Sequence, residues 1–145
     1  MSEMRVKYCN ELWYRVTELA ELFFYTLYGF KAYWIAGKVD SRTANLIKGE
    51  LGISIKDFSI ELKSDDLNHF LYSHFNETRN NQRGIHFKDI NELPNVVNGF
   101  SNVDFGNKPD TLLFEKTFPT GLFQLVVEIN YTKKKLVGKS FRIKT

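Results

Sequence analysis

The chain has one cysteine, Cys9, so it can form no internal disulfide. That excludes a disulfide-stapled scaffold and makes a reducing, cytoplasmic setting the expectation. Nothing beside Cys9 supplies a base, which argues against a cysteine nucleophile. Long apolar runs are missing too. The most apolar stretch is broken by Arg15, Glu18 and Glu21, so no membrane span is expected. Its polar face is not basic, which disfavours a membrane-surface helix. Arg5 and Lys7 precede an interrupted apolar run with no small-residue cleavage site, so no secretory leader is expected. GxGxxG, the Walker A loop, HExxH, CxxC, EF-hand spacing and the GxSxG elbow are all absent. No cofactor and no metal is therefore expected. The aromatic residues follow core periodicity rather than forming a stacking platform.

Acid is missing from one end. Between Tyr131 and Thr145 stand Lys133, Lys134, Lys135, Lys139, Arg142 and Lys144 with no carboxylate, whereas the rest of the chain is net acidic. A basic end on an acidic body suits a phosphate-facing edge. An ordinary solvated last strand has the same composition.

The 145 residues are enough for one domain with a real core. Trp13, Val16, Ala20, Phe23 and Leu27 recur at spacings of three and four, which predicts a helix over 10–30, stopped near Gly29. Tyr33 to Val39 reads as a short strand. Ser41 reads as the N-cap of a helix over 42–51 that Gly52 ends. A strand is expected near Phe58–Leu62. A third helix follows, capped by Ser64, with Asp65 and Asp66 suiting the positive end of its dipole. Residues 76–84 have loop composition, and 87–97 holds two short helices divided at Pro94. Turn sequences at 107–110 and 119–121 separate strands near 111–118, 122–130 and 135–143. The expectation is an α+β fold, with N-terminal helices packed on a C-terminal antiparallel sheet. No internal repeat or linker divides it.

Alternation sorts the last two strands into faces. Phe123, Leu125, Val127 and Ile129 form one face of 122–130, and Gln124, Glu128 and Asn130 lie on the other. In 135–143, Val137, Phe141 and Ile143 share a face with Lys139, while Leu136, Gly138, Ser140 and Arg142 share the opposite one. The polar side then gathers Glu128, Gln124, Ser140 and Arg142: a base, a hydroxyl and a cation. Half-wet sheets carry such residues without any chemistry. Lys139 stands out among apolar neighbours, where an unpaired ammonium is costly. His69 and His74 are five apart, which on an ideal helix is a turn of about 140°, so they do not make a metal pair. His74 falls on the apolar face with Leu67 and Leu71, His69 away from it, and His86 reads as a surface residue. Arg79 and Arg83 lie in the polar loop, where a guanidinium can clamp phosphate or simply be solvated.

One order runs through 35–145: Ile35-Ala-Gly-Lys-Val, then Leu67-Asn-His69-Phe-Leu-Tyr-Ser-His74, then Asp89-Ile-Asn-Glu-Leu-Pro-Asn-Val-Val, then strands closed by Leu136-Val-Gly-Lys139-Ser140-Phe. This order resembles the phage-associated nucleases of the barnase–EndoU–colicin–RelE group. In that family a His is followed, after four residues, by a second His, and a Lys precedes Thr or Ser in the last strand. His69-x4-His74 and Lys139-Ser140 match those two features. The resemblance implies a core over 33–145 behind an N-terminal helical extension over 1–32. It implies a metal-independent endoribonuclease, of toxin type and often directed at transfer RNA, with an inhibitor or immunity protein as a possible partner. His69 and His74 are then the acid/base candidates, Glu128 an alternative base, and Lys139, Ser140 and Arg142 stabilisers of charge on phosphorus. Lys133, Lys134 and Lys135, with Arg79 and Arg83, are the expected RNA-backbone contacts. Phe75 after the second histidine and Gly138 before Lys139 depart from the family pattern. An inactive relative that binds and inhibits a host protein or nucleic acid is the alternative. In either case the aromatic surface of 10–30 is a candidate partner interface or homodimer seam.

Overall fold

A computed structural model describes residues 4–8, 11–74 and 82–145, with side chains described over 13–71 and 82–145. The elements run β1 (Met4–Tyr8), β2 (Glu11–Val16), α1 (Leu19–Leu27), β3 (Ala32–Lys38), α2 (Ser41–Leu51), β4 (Ser59–Lys63) and α3 (Ser64–His74). After these come β5 (Gln82–Arg83), α4 (Phe87–Ile90), α5 (Leu93–Asn98), β6 (Asn102–Phe105), β7 (Thr111–Phe118), β8 (Gly121–Asn130) and β9 (Lys135–Lys144). All the strands join one mixed sheet in the order β1-β2-β3-β4-β9-β8-β7-β6, with β5 also on β9. Both parallel joints, β2 with β3 and β4 with β9, are short. The class is mixed α+β, as the sequence predicts, but the sheet is not confined to the C-terminal half. Among the described residues no helix is long and apolar enough to cross a membrane.

The expected helix over 10–30 is corrected to a strand followed by a helix. β2 pairs with β1 over Met4↔Arg15 to Tyr8↔Glu11, and α1 begins only at Leu19. The Glu21 carboxylate takes the backbone N–H and hydroxyl of Thr17 at 3.3 and 2.9 Å, fixing the turn between them. Trp13, Tyr14 and Val16 are aromatic and β-branched types that suit a pleated surface. Their helical spacing arose because a strand and a helix each bury a stripe and stand end to end. The N-terminal extension is thus β-β-α, not purely helical.

Smaller differences concern caps. Asp40, rather than Ser41, caps α2 by accepting from the N–H of Thr43 at 2.7 Å, and Gly52 closes that helix at φ 74°. Ser64 ties α3 to β3, accepting from the N–H of Ala32 and donating to the carbonyl of Phe30, each at 3.0 Å. Pro94 lies inside the first turn of α5 instead of between α4 and α5.

The core takes Leu19 and Leu22 from α1, Ile47 from α2, Leu67 and Phe70 from α3 and Val96 and Val97 from α5. The sheet contributes Trp34, Ile60, Leu62, Phe114, Phe123, Leu125, Val127, Phe141 and Ile143. Phe70 meets Phe141 with ring centroids 5.9 Å apart, which sets α3 against β9. The register of β8 with β9 slips between Val126 and Val127, whose partners are Ser140 and Gly138. Lys139 is therefore the extra residue of a β-bulge. The bulge moves Leu136 and Gly138 onto the core side, paired with Ile129 and Val127, which corrects the alternation expected for the start of β9. Ser140 and Arg142 pair with Val126 and Gln124, so they share the open face with Glu128 as the sequence indicates.

Candidate active site

The site is built where β9 changes neighbours. On the edge of β9 away from β8, β4 pairs with Lys135–Val137 and β5 with Ile143–Lys144. Among the described residues, no strand covers that edge between these two pairings. α3 begins directly after β4 and passes this seam. Its Asp66 and His69 are three residues apart, the helical spacing that puts Cβ atoms about 5–6 Å from each other. The bulge directs Lys139 toward the same helix, and its Nζ lies 3.6 Å from Asp66 Oδ2. The bulge thereby brings Lys139 to Asp66, 73 positions away in sequence, and His69 stands one helical step beyond Asp66 on the same helix.

The electrostatics of the cluster are unusual. Burial pushes the Asp66 carboxyl above its ordinary range, and the charges of Lys139 and Lys63 only partly pull it back. Among the described residues its buried Oδ2 has no hydrogen-bond partner. The Lys139 side chain is 38% exposed, which resolves the cost of placing it among apolar residues: its head reaches both a carboxylate and water. His69 is exposed on the helix.

The other expected site residues fall into separate places. Glu128 is exposed on the open face, opposite the side on which α3 packs. It lines a cavity of about 380 Å³ with Pro109, Asp110, Asn130, Tyr131 and Thr132. Ser140 is half-buried and Arg142 exposed on that same face. Lys133 and Lys134 are exposed in the β8–β9 turn, with Lys134 at φ 55°.

Two of the expected backbone contacts have partners within the fold. Lys135 is buried, and its Nζ meets both oxygens of Glu61 at 3.0 and 3.3 Å, joining β9 to β4. Arg83 donates to both oxygens of Asp89 at 2.8 and 3.0 Å and also to Gly84 and Thr120. Its guanidinium is occupied by the fold. His86 is exposed but anchored at the start of α4: its backbone carbonyl accepts from the N–H of Asp89 at 3.0 Å, and the Asp89 carboxylate accepts from its backbone N–H at 2.8 Å. The His74 side chain and Arg79 lie outside the described residues. In the sequence Asp66 stands out only as a residue suited to the helix dipole. Its spacing of three before His69 was the available signal.

Among the described residues no group of three His, Cys, Asp or Glu side chains is placed to hold a metal ion. The model of the family described as phage-Barnase-EndoU-ColicinE5/D-RelE like nuclease3 matches residues 37–145. The chain belongs to this nuclease family. Membership makes nucleic acid the substrate class and a nuclease activity the family function. The match starts inside β3, so β1, β2 and α1 precede the family core, while α3, the bulge and the whole candidate cluster lie within it. No curated protein and no solved structure matches the chain.

Proposed function

We propose that this member of the nuclease family is a metal-independent endoribonuclease that cleaves by attack of a ribose 2′-hydroxyl on the adjacent phosphorus. RNA carries its own nucleophile, so the protein need only move protons and stabilise charge. The single observation behind this reading is that the β9 bulge brings Lys139 to α3, 3.6 Å from Asp66, on the helix that also carries His69. An imidazole exchanges protons near neutral pH, and an ammonium held at a seam can meet the charge that builds on phosphorus. His74, in the last turn of α3, is the second acid/base candidate. Ser140 and Arg142, with Lys133 and Lys134, offer contacts to the RNA backbone on the open face. Glu128 lies among them. The barnase/RelE-like layout, with a core over 33–145, is part of the same reading, as are a toxin role in the cytoplasm, transfer RNA as target and an inhibitor protein as partner.

The test is incubation of the purified protein with total RNA and with transfer RNA, with and without chelator. Cleavage that survives chelator, spares DNA and leaves 2′,3′-cyclic phosphate ends is expected. His69→Ala in a folded variant should lower the rate by roughly 100-fold or more. Equal activity on DNA, or loss of activity with chelator, would reject the mechanism.

One observation favours a second, binding reading. Phe24, Leu27, Tyr28 and Phe30 are 57–68% exposed, and they gather at the end of α1 outside the matched residues. With Tyr14 and Tyr25, three of them line an apolar groove of about 360 Å³. Such a surface suits a protein partner or a second copy of the chain. Wild-type protein inert on every RNA, with a stable partner lost on Tyr28→Asp, would favour it.

A further inference from the structure

Several carboxylates of this chain meet a cation, but they are not satisfied alike. Glu61 receives Lys135 at 3.0 and 3.3 Å. Asp89 receives Arg83 at 2.8 and 3.0 Å and the N–H of His86 at 2.8 Å. Asp66 receives Lys139 only at 3.6 Å, beyond hydrogen-bond range, and among the described residues its buried Oδ2 has no hydrogen-bond partner. Leaving a buried acceptor unbonded costs about 1–3 kcal/mol, and native folds rarely carry that without a use for the atom.

The location supplies a use. Asp66 stands one helical step from His69 and faces the stretch of β9 between the β4 and β5 pairings. A hydroxyl brought to this seam would find an acceptor at Oδ2 and a cation at Lys139. We infer that Asp66 is the proton acceptor of this site: it takes the proton of the attacking ribose 2′-hydroxyl, while Lys139 bears on the phosphate and His69 protonates the leaving oxygen. The inference rests on the RNA-cleavage reading and gives that reading a base other than Glu128.

The step balances. The O2′–H bond breaks and its proton passes to Asp66 Oδ2. The O2′–P bond forms as the P–O5′ bond breaks, and O5′ takes a proton from the His69 imidazolium. The products are a 2′,3′-cyclic phosphate and a 5′-hydroxyl, with Asp66 and His69 each left neutral and reset by water. The groups facing Asp66 are Lys139 from β9 and Lys63 from β4, with Asp65 beside it on α3. Burial makes its carboxylate more basic than an ordinary one, the direction a general base needs. Lys139 and Lys63 keep it from becoming permanently protonated.

The experiment compares Asp66→Asn, Asp66→Glu and wild type on the same RNA across pH, with thermal melting as a fold control. The expected result is an acidic limb in the wild-type kcat profile that Asp66→Asn abolishes along with at least about 100-fold of the rate. Asp66→Glu should recover part of the rate with a displaced limb. Full activity of folded Asp66→Asn overturns the inference and leaves ribonuclease activity standing. Lost activity with the acidic limb unchanged also overturns it, because Asp66 would then only hold Lys139. If Asp66→Asn does not fold, an undisplaced limb in Asp66→Glu overturns it. A wild-type protein that cleaves no RNA removes the ribonuclease reading and this role together.

Discussion

Asp66 and Asp89 occupy equivalent positions at two junctions of the molecule. Each stands in the first turn of a helix, α3 or α4, and each faces a cation brought from a strand, Lys139 or Arg83. Their carboxyls nevertheless move in opposite directions. Burial acts upward on both. At Asp89 the hydrogen bonds from Arg83 and from the backbone of His86, with the charge of Arg83, outweigh it and hold the carboxyl below its ordinary range. At Asp66 burial wins. The difference is bond geometry. A planar guanidinium reaches both oxygens of Asp89 at once, whereas the ammonium of Lys139 stops 3.6 Å short. A satisfied pair is mortar, and an unsatisfied one is a place where chemistry can occur.

The largest effect that can break this comparison is on stability. Arg83→Met should strand Asp89, which is 3% exposed, and cost about 3–5 kcal/mol in urea denaturation. A loss under 1 kcal/mol would show that the clamp is not structural. Phe141→Ala should cost a similar amount, about 3–5 kcal/mol, because its ring sits at 0% exposure between Phe70 and Phe123. That variant measures how firmly α3 is fixed against β9. Lys139→Ala should barely alter melting, since its partner is not hydrogen-bonded, yet should lower RNA cleavage by roughly 100-fold. A large stability loss in that variant would make the seam a second clamp.

Acid titration sharpens the contrast through its sign. The Asp89 carboxyl is depressed in the folded state, so its stabilising contribution is present above the unfolded value of about 3.9 and disappears as pH falls through the folded one. The Asp66 carboxyl is raised, so its ionised form costs stability above that raised value, and the cost fades as pH falls through it. Asp89→Asn should therefore flatten the loss of stability below about pH 4, whereas Asp66→Asn should leave neutral-pH stability unchanged or higher. Matching stability–pH curves for the two variants would contradict the assignment. The smallest effect expected is at the β8–β9 turn. Lys133→Glu with Lys134→Glu should reduce the slope of log affinity for RNA against log salt by about 1–2. An unaltered slope would move the backbone contacts elsewhere.

Much of the fold was legible from local signals. Gly52, the turns at 107–110 and 119–121, and the alternation of Phe123, Leu125, Val127 and Ile129 each act over a few residues, and the structure has β7, β8, β9 and α2 where they indicate. The apolar period of 10–30 misled because a period records burial, not backbone hydrogen bonding. β2 is a strand because β1 and β3 pair with its backbone.

The sequence by itself carried the α+β class, the C-terminal hairpins, the impossibility of an internal disulfide and, through the order of segments over 35–145, the resemblance to the family whose model matches residues 37–145. Only the tertiary structure decided the rest. The six cations of the acid-free end looked alike as a composition. Folding buried Lys135 against Glu61, turned Lys139 to Asp66 and left Lys133 and Lys134 in a turn. A single extra residue in β9 chose which side chain reached α3, and the seam between β4 and β5 chose which carboxylate lost its bonding partners. Both choices depend on pairings between residues far apart in the chain, about 70 positions in the case of Asp66 and Lys139, and no local pattern encodes those.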